Sequence, residues 1–461
     1  MGVGVSNWTL ANAVARCGQL GVVSGTVIDT LFVRRLAAGD PGGHMRRGMH
    51  GFPIPGVVEQ VLQRYFKEEG LATDAAYPLL PMWRQKVSQF REQVAMLAAY
   101  VEVRLAKDGH HGPVGMNLLT KVQLPNLATL YGAMLAGVDV ILMGAGIPRD
   151  VPGTLDALAE HRAVEMRLEV EGLAAGTHEV FTLDPRAHWE PTAPVNRPLF
   201  LPIISANSLA ATLARKANGR VDGFVVEGPT AGGHNAPPRG ELKLNEKQEP
   251  IYGERDAVDL GKMRELGLPF WIAGGAGSKR ALEEARAQGA HGVQVGTLFA
   301  FSDESGIEAP LKRRVLESLG RGEVHVHTDA LASPTGYPFK VVKVANDPDD
   351  VRREKRPREC DLGYLRMPYA MGEGRIGYRC PAEPEADYLA KGGTLSETEG
   401  RKCLCNGLLA NLGLGQRRDG GMEEPPLLTS GSELMDLREL LGGRSNYSAA
   451  DVVRWVVGSA N

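Results

Sequence analysis

The chain has 461 residues, 43% of them hydrophobic and 23% charged, a globular composition long enough for roughly two or three domains or for one enlarged barrel. Lys and Arg total 52 against 55 Asp and Glu, a formal net charge of −3, which leaves no broad cationic surface for nucleic acid or anionic lipid. No run of about 18 apolar residues occurs and no basic, apolar leader opens the chain, so neither a membrane span nor export is expected and the cytoplasm is the expected compartment.

In chain order, apolar residues at Leu10, Ala13, Val14 and Cys17 recur at helical spacing and lead into a short strand at 21–25. Residues 26–110 break the rhythm. A turn-forming stretch, Asp40-Pro41-Gly42-Gly43, precedes a helix carrying Val57, Val58, Val61, Leu62, Tyr65 and Phe66, and the whole reads as a mainly helical insertion. Strand-like runs return at 114–118, 138–144, 199–205, 223–227, 270–273 and 292–296, with amphipathic helices such as 127–136, 209–217 and 279–288 between them. Short, almost wholly apolar strands alternating with helices make a parallel sheet covered on its outer side. With 21–25 these are seven strands, and residues 1–5 read as the end of an eighth. The expected fold is therefore α/β, a (β/α)8 TIM barrel with a large insertion after the second strand and a C-terminal extension. Residues 1–345 are assigned to the barrel, with 26–110 as its insertion, and 346–461 to a C-terminal module.

That module holds four of the five cysteines, Cys360, Cys380, Cys403 and Cys405, whereas Cys17 sits on an apolar helix face and reads as core. Four thiolates could hold zinc or an iron–sulfur cluster; the intervals lack the usual Cys-x-x-Cys pair, and inert reduced thiols are the alternative. The basic run Arg352-Arg353-Glu354-Lys355-Arg356 ahead of them reads as a solvated linker. Gly372-Glu373-Gly374-Arg375-Ile376-Gly377 has dinucleotide-loop spacing, but it follows no strand and opens no helix, so it is read as a turn. The tract 331–340 is either a loop capping the barrel mouth or a surface connector.

Glycine is in excess, 57 residues against a usual level of about 7% of a chain. Part of the excess lies just beyond strand ends, at Gly144-Ala145-Gly146, Gly232-Gly233-His234, Gly274-Gly275-Ala276-Gly277 and Gly296-Thr297. A barrel builds its site there, where backbone must approach a ligand closely. The last two segments follow the last two strands, where backbone N–H groups commonly cradle a phosphate, so an anionic cofactor is expected. His234, two glycines past a strand end, could take a proton or donate to an oxyanion; the other reading is a hydrogen-bonded packing residue.

The segments Gly115-Met116-Asn117-Leu118-Leu119, Glu227 through Gly233-His234, Ile272-Ala273-Gly274-Gly275-Ala276-Gly277 and Val293-Gln294-Val295-Gly296-Thr297-Leu298-Phe299 resemble the nitronate monooxygenase (2-nitropropane dioxygenase-like) family of FMN-dependent barrels. That family also includes flavin-type enoyl-acyl-carrier-protein reductases. The resemblance covers about residues 1–345. It implies FMN as cofactor, with Met1 and Gly2 in the loop touching the flavin ring, Asn117 near the ring or phosphate, and Gly232 and Gly233 in the cofactor wall. By the same resemblance Gly274, Gly275, Gly277, Gly296 and Thr297 hold the phosphate, and His234 is the catalytic histidine. The implied reaction is oxidation of an alkyl nitronate with dioxygen; the alternative is NAD(P)H-dependent reduction of an enoyl thioester delivered by an acyl carrier protein. Expected partners are thus a small-molecule substrate and dioxygen, an acyl carrier protein under the alternative, and a second copy of the chain as a homo-oligomer. Three departures stand out, the first being that the insertion at 26–110 and the module after 345 enlarge the chain well beyond the compact members. The family has a full strand ahead of the position of Met1, so either the native chain starts upstream or another segment closes the barrel. Pro229-Thr230-Ala231 before the glycines and Asn235-Ala236-Pro237-Pro238 after His234 differ from the family, so the substrate wall is expected to differ too.

Overall fold

The computed structural model describes residues 2–458. Apolar runs with Val, Ile, Leu and Met buried on both faces form the strands β1 (Gly21–Ser24), β2 (Val114–Leu119) and β3 (Val140–Gly144), the last buried at every position. The chain then makes an antiparallel hairpin, β4 (Val164–Leu168) with β5 (Glu179–Leu183). In β4 the burial alternates, with Val164, Met166 and Leu168 inside and Glu165 and Arg167 outside. The main sheet resumes with β6 (Leu199–Ile204), β7 (Phe224–Glu227), β8 (Phe270–Ala273) and β9 (Gly292–Gln294). Hydrogen bonding gives one seven-stranded sheet in the order β1-β2-β3-β6-β7-β8-β9, all neighbours parallel. This is the strand succession of a TIM barrel, and all seven runs read from the sequence are in it.

The eighth strand is not formed among the described residues: residues 3–6 are turn and bend. The Ser6 carbonyl accepts the Ser24 N–H at 2.8 Å beside β1, while Val5 packs in one apolar cluster with Val293 of β9 and Val295. This segment meets β1 through that backbone hydrogen bond and packs toward β9 through Val5, with no eighth ladder among the described residues. Helix α1 (Trp8–Arg16) starts where Asn7 accepts the Leu10 N–H at 2.9 Å.

The insertion folds into α2 (Ile28–Ala37), α3 (His44–Gly48), α4 (Val57–Tyr65) and α5 (Gln89–Ala106). Residues 94–99 of α5 are at most 1% exposed, the mark of a helix that is apolar all round. It crosses α6 (Asn126–Leu135) so closely that a Cβ on Gly132 would lie 2.1 Å from the Met96 carbonyl oxygen, which only glycine permits.

C-terminal residues join the same core. Leu362, Tyr364 and Leu409 pack in the cluster that holds the barrel strands. An antiparallel pair, β10 (Val324–Asp329) with β11 (Phe339–Val344), precedes them, and β12 (Met367–Ala370) pairs with β13 (Ile376–Arg379). The glycine string at 372–377 is the turn of that second hairpin, with positive φ at Gly372, Glu373 and Gly374. The basic run is not a solvated linker. Arg353 pairs with Asp347 and Asp350 and donates to the Pro426 carbonyl, Arg352 pairs with Asp349, and Arg356 with the buried Glu424, 68 positions along the chain, so each guanidinium meets a carboxylate.

Candidate functional site

The C-terminal ends of the strands open on a cavity of about 480 Å³, large enough for a cofactor with a small substrate. Asn117 reaches it from β2, Gly144 from the end of β3, Glu227 from the end of β7, Gly274 from the turn after β8, and Gly296 and Thr297 from the turn after β9. Gly2, Gly232, Gly233 and His234 also line it; Met1 lies outside the described residues. Residues from beyond 345 complete the wall, among them Tyr364, Cys405, Ser430, Gly431 and Glu433; the sequence reading placed none of them here and singled out Cys405 only as a candidate metal ligand. Nothing local marks them: they arrive from far along the chain with ordinary loop composition.

The loop after β7 is fixed by backbone packed on backbone. A Cβ on Gly232 would lie 2.7 Å from the Gly431 nitrogen, and one on Gly274, at φ +85°, would lie 2.9 Å from the Ala231 nitrogen. His234 emerges from this loop. Its Nε2 lies 2.7 Å from the Ser333 hydroxyl, which lies 2.8 Å from that of Thr335, and its ring meets Phe339 edge-on with centroids 4.9 Å apart. Of the tract 331–340, Ser333 holds His234 and Phe339 lines the cavity. Burial away from bulk water pushes the imidazole down to about 4, so the ring is neutral at pH 7.

Glu227 faces the same cavity with its carboxyl pushed by burial up to about 7. It stood inside the motif quoted for the family resemblance but carried no role. The available signal was an acidic residue ending an otherwise apolar strand. Asn117 is 5% exposed and its Oδ1 has no hydrogen-bond partner, an unanswered acceptor at a cavity wall.

The glycines expected at a phosphate divide. Gly274, Gly296 and Thr297 line the cavity, whereas Gly275 and Gly277 do not. The Gly277 N–H instead donates to the Glu433 carboxylate at 2.6 Å, and the Gly431 N–H donates to the Thr297 hydroxyl at 3.0 Å. The C-terminal strap thus takes up part of the donor set that the sequence reading assigned to a phosphate. Burial raises the Glu433 carboxyl above its ordinary value, although the Gly277 and Ala276 N–H groups pull it back.

Cys360, Cys380, Cys403 and Cys405 come together around one small second cavity, and all are free thiols. Among the described residues no three His, Cys, Asp or Glu side chains form a group that could hold a metal ion, so neither the zinc nor the iron–sulfur expectation gains support from the geometry. No helix among the described residues is long and apolar enough to cross a membrane.

Comparison with known proteins agrees with the motifs. Residues 193–329 match the family described as Nitronate monooxygenase. A probable nitronate monooxygenase of Staphylococcus haemolyticus is 34% identical over 99 residues, 21% of this chain and 26% of that protein. The (3aS,4S,5R,7aS)-5-hydroxy-7a-methyl-1-oxo-octahydro-1H-indene-4-carboxyl-CoA dehydrogenase of Mycobacterium tuberculosis is 33% identical over 110 residues, 24% of this chain and 28% of that protein. The chain thus aligns with about a quarter of the length of these curated relatives. A solved nitroalkane oxidase from Streptomyces ansochromogenes is 16% identical, with 99% of this chain and 92% of that one covered at a TM-score of 0.45. The resemblance read from the strand-end motifs is borne out over residues 193–329, the part of the chain that matches the nitronate monooxygenase family.

Proposed function

We propose that the chain is an FMN-dependent oxidoreductase of the nitronate monooxygenase type, oxidising an alkyl nitronate with dioxygen in the cytoplasm. One observation carries the reading: a single cavity at the strand ends brings together backbone-lined walls, the unpartnered Asn117 Oδ1, His234 and Glu227. The residues fit a flavin. Asn117 offers an acceptor for a ring N–H, the Cβ-free backbone of Gly232 and Gly274 leaves room beside it, and Gly274, Gly296 and Thr297 would hold the phosphate. Bound FMN would supply the electron transfer between nitronate and dioxygen. His234, neutral and anchored by Ser333, would orient a nitronate oxygen by hydrogen bonding, not by positive charge. Glu227, poised near pH 7, would take the α-proton when a neutral nitroalkane binds. Phe339 would keep bulk water off that end of the cavity.

A second reading is favoured by the Mycobacterium tuberculosis relative, whose name specifies a CoA thioester: an FMN- and NAD(P)H-dependent reductase of enoyl thioesters, served by CoA or by an acyl carrier protein. Mixing the flavin-loaded protein anaerobically with propyl-2-nitronate or with NADPH separates them. Bleaching of the flavin band by the nitronate supports the first reading, and bleaching by NADPH alone overturns it. His234→Ala should lower nitronate turnover by roughly 10²-fold with flavin retained. Unchanged turnover would remove His234 from the reaction.

A further inference from the structure

The C-terminal strap is fixed to the barrel along its whole length. At its start the Leu428 carbonyl accepts the Val342 N–H of β11 at 2.9 Å, and the Leu427 carbonyl accepts the Asn411 side chain at 2.8 Å. Beyond them the chain runs over the loop after β7 and the turns after β8 and β9. The Thr429 hydroxyl accepts the Gly233 N–H at 3.1 Å, the Ser432 N–H donates to the Thr230 carbonyl at 2.9 Å, and the Gly431 N–H donates to the Thr297 hydroxyl. Backbone lies on backbone here: a Cβ on Gly431 would stand 2.8 Å from the Thr230 carbonyl oxygen. Ser430, between these anchored neighbours, is thereby held at one point of the wall of the large cavity.

Ser430 is 4% exposed and its hydroxyl has no hydrogen-bond partner. A buried polar group left unanswered is a cost to the fold, and it persists in a native structure where a ligand, ion or water answers it. Among the described residues lining the large cavity, two carry such an atom, Asn117 and Ser430. Asn117 stands on β2, whereas Ser430 is tied to the ends of β8 and β9 through its neighbours. The strap also changes the donors left at those ends. Glu433 takes up the Gly277 N–H, and the Thr297 oxygen, by accepting from Gly431, leaves its own hydrogen to point elsewhere. The strap thus removes one donor from the phosphate end and brings in another, the Ser430 hydroxyl.

From this arrangement we propose that Ser430 is a ligand of the cofactor phosphate and that the strap ends the cofactor site there, so that the cavity takes a flavin mononucleotide in preference to a flavin dinucleotide. The inference rests on the flavin reading of the cavity. A hydroxyl donating to a phosphate oxygen makes a charge-assisted bond, stronger than one between neutral groups. A dinucleotide would have to carry its second phosphate, ribose and adenine past this point. It would meet the Glu433 carboxyl and the close contact of Gly431 with Thr230, which leaves no room for even a methyl group. Ser430 lies outside residues 193–329, so this ligand comes from the C-terminal segment and not from the stretch matched to the family.

The test is binding of FMN, riboflavin and FAD to the full-length apoprotein, followed by quenching of tryptophan fluorescence, since Trp271 lines the cavity. The wild type should bind FMN at least about 10-fold more tightly than riboflavin or FAD. Ser430→Ala should lose roughly 10-fold in affinity for FMN and keep its affinity for riboflavin. Equal losses for both flavins, the mark of a merely structural role, or an unchanged affinity for FMN would overturn the assignment of Ser430. FAD bound as tightly as FMN would overturn the closed end. A measurement on the wild type decides the matter even where the variant fails to fold. The phosphorus resonance of bound FMN should hold still from about pH 5.5 to about 8, although a free phosphomonoester titrates near 6. A resonance that titrates as in free FMN would put the phosphate in solvent and overturn the proposal. A wild type that binds none of the three flavins overturns the flavin reading itself, whereas FMN binding that Ser430→Ala leaves unchanged overturns the role of Ser430 alone.

Discussion

Glu227 and His234 face one cavity and are displaced from their ordinary titration in opposite directions, both by burial. Glu227 rises from 4.5 to about 7, so the native state keeps a proton that the unfolded chain has released. Its contribution to stability is whole below 4.5 and is lost as pH rises through 7. His234 falls from 6.5 to about 4, so its contribution is whole above 6.5 and is lost as pH falls toward 4. Between 4.5 and 6.5 the two slopes oppose each other. Glu227→Gln removes one of them, and denaturant midpoints across this range should then climb with pH in the variant while the wild type stays nearly level. The gap between the two proteins should reach about 1–3 kcal/mol above neutrality. Profiles that run parallel would show that Glu227 is solvated and titrates normally. The histidine was legible in the sequence because glycines and a strand end flagged it. The glutamate was not, because its unusual acidity comes from the walls that enclose it and not from its neighbours in the chain.

At the scale of elements, the strap containing Ser430, Gly431 and Glu433 lies across the ends of β8 and β9 and shapes what the cavity accepts. Glu433 accepts the Gly277 N–H, and the Gly431 N–H donates to the Thr297 hydroxyl, so a carboxylate side chain stands beside the glycines left for a phosphate. Like charges in a partly dry site repel, and Glu433→Gln keeps an acceptor for the Gly277 N–H while deleting the charge. FMN should then bind the apoprotein roughly 10-fold more tightly, while riboflavin, the same ring without phosphate, should bind as before. Fluorescence quenching of the two flavins measures this. An equal change for both, or none for FMN, would show that the phosphate does not lie near the strap. The strands were legible because an apolar run bounded by glycine or proline has one stable use, a buried parallel strand. The hairpin β4–β5 escaped notice although Val164, Met166 and Leu168 alternate with Glu165 and Arg167, a two-residue period too short to stand out beside the longer runs.

Across the whole molecule, the insertion and the C-terminal residues are joined by one buried polar knot. Asp29 of α2 and Arg91 of α5, 1% and 2% exposed, form an ion pair at 2.7 Å. Trp83 Nε1 donates to the same carboxylate at 3.0 Å, and the Tyr364 hydroxyl, 335 positions along the chain, donates to its other oxygen. Burial alone would raise Asp29, but Arg91 and these hydrogen bonds outweigh it and hold the carboxyl below its ordinary value. Such a pairing cannot be read locally, since nothing in the run around Asp29 specifies a tyrosine so distant, and the sequence accordingly read as three separate parts. Arg91→Ala strands a buried carboxylate and should cost about 3–5 kcal/mol in denaturant unfolding, whereas Asp29→Asn combined with Arg91→Met should recover much of that loss. Tyr364 also lines the large cavity, so loosening its anchor should weaken flavin binding in Arg91→Ala along with stability, and the double variant should recover stability more fully than binding. A single variant that loses stability but binds flavin as tightly as the wild type would show that the knot holds the parts together without setting the shape of the site.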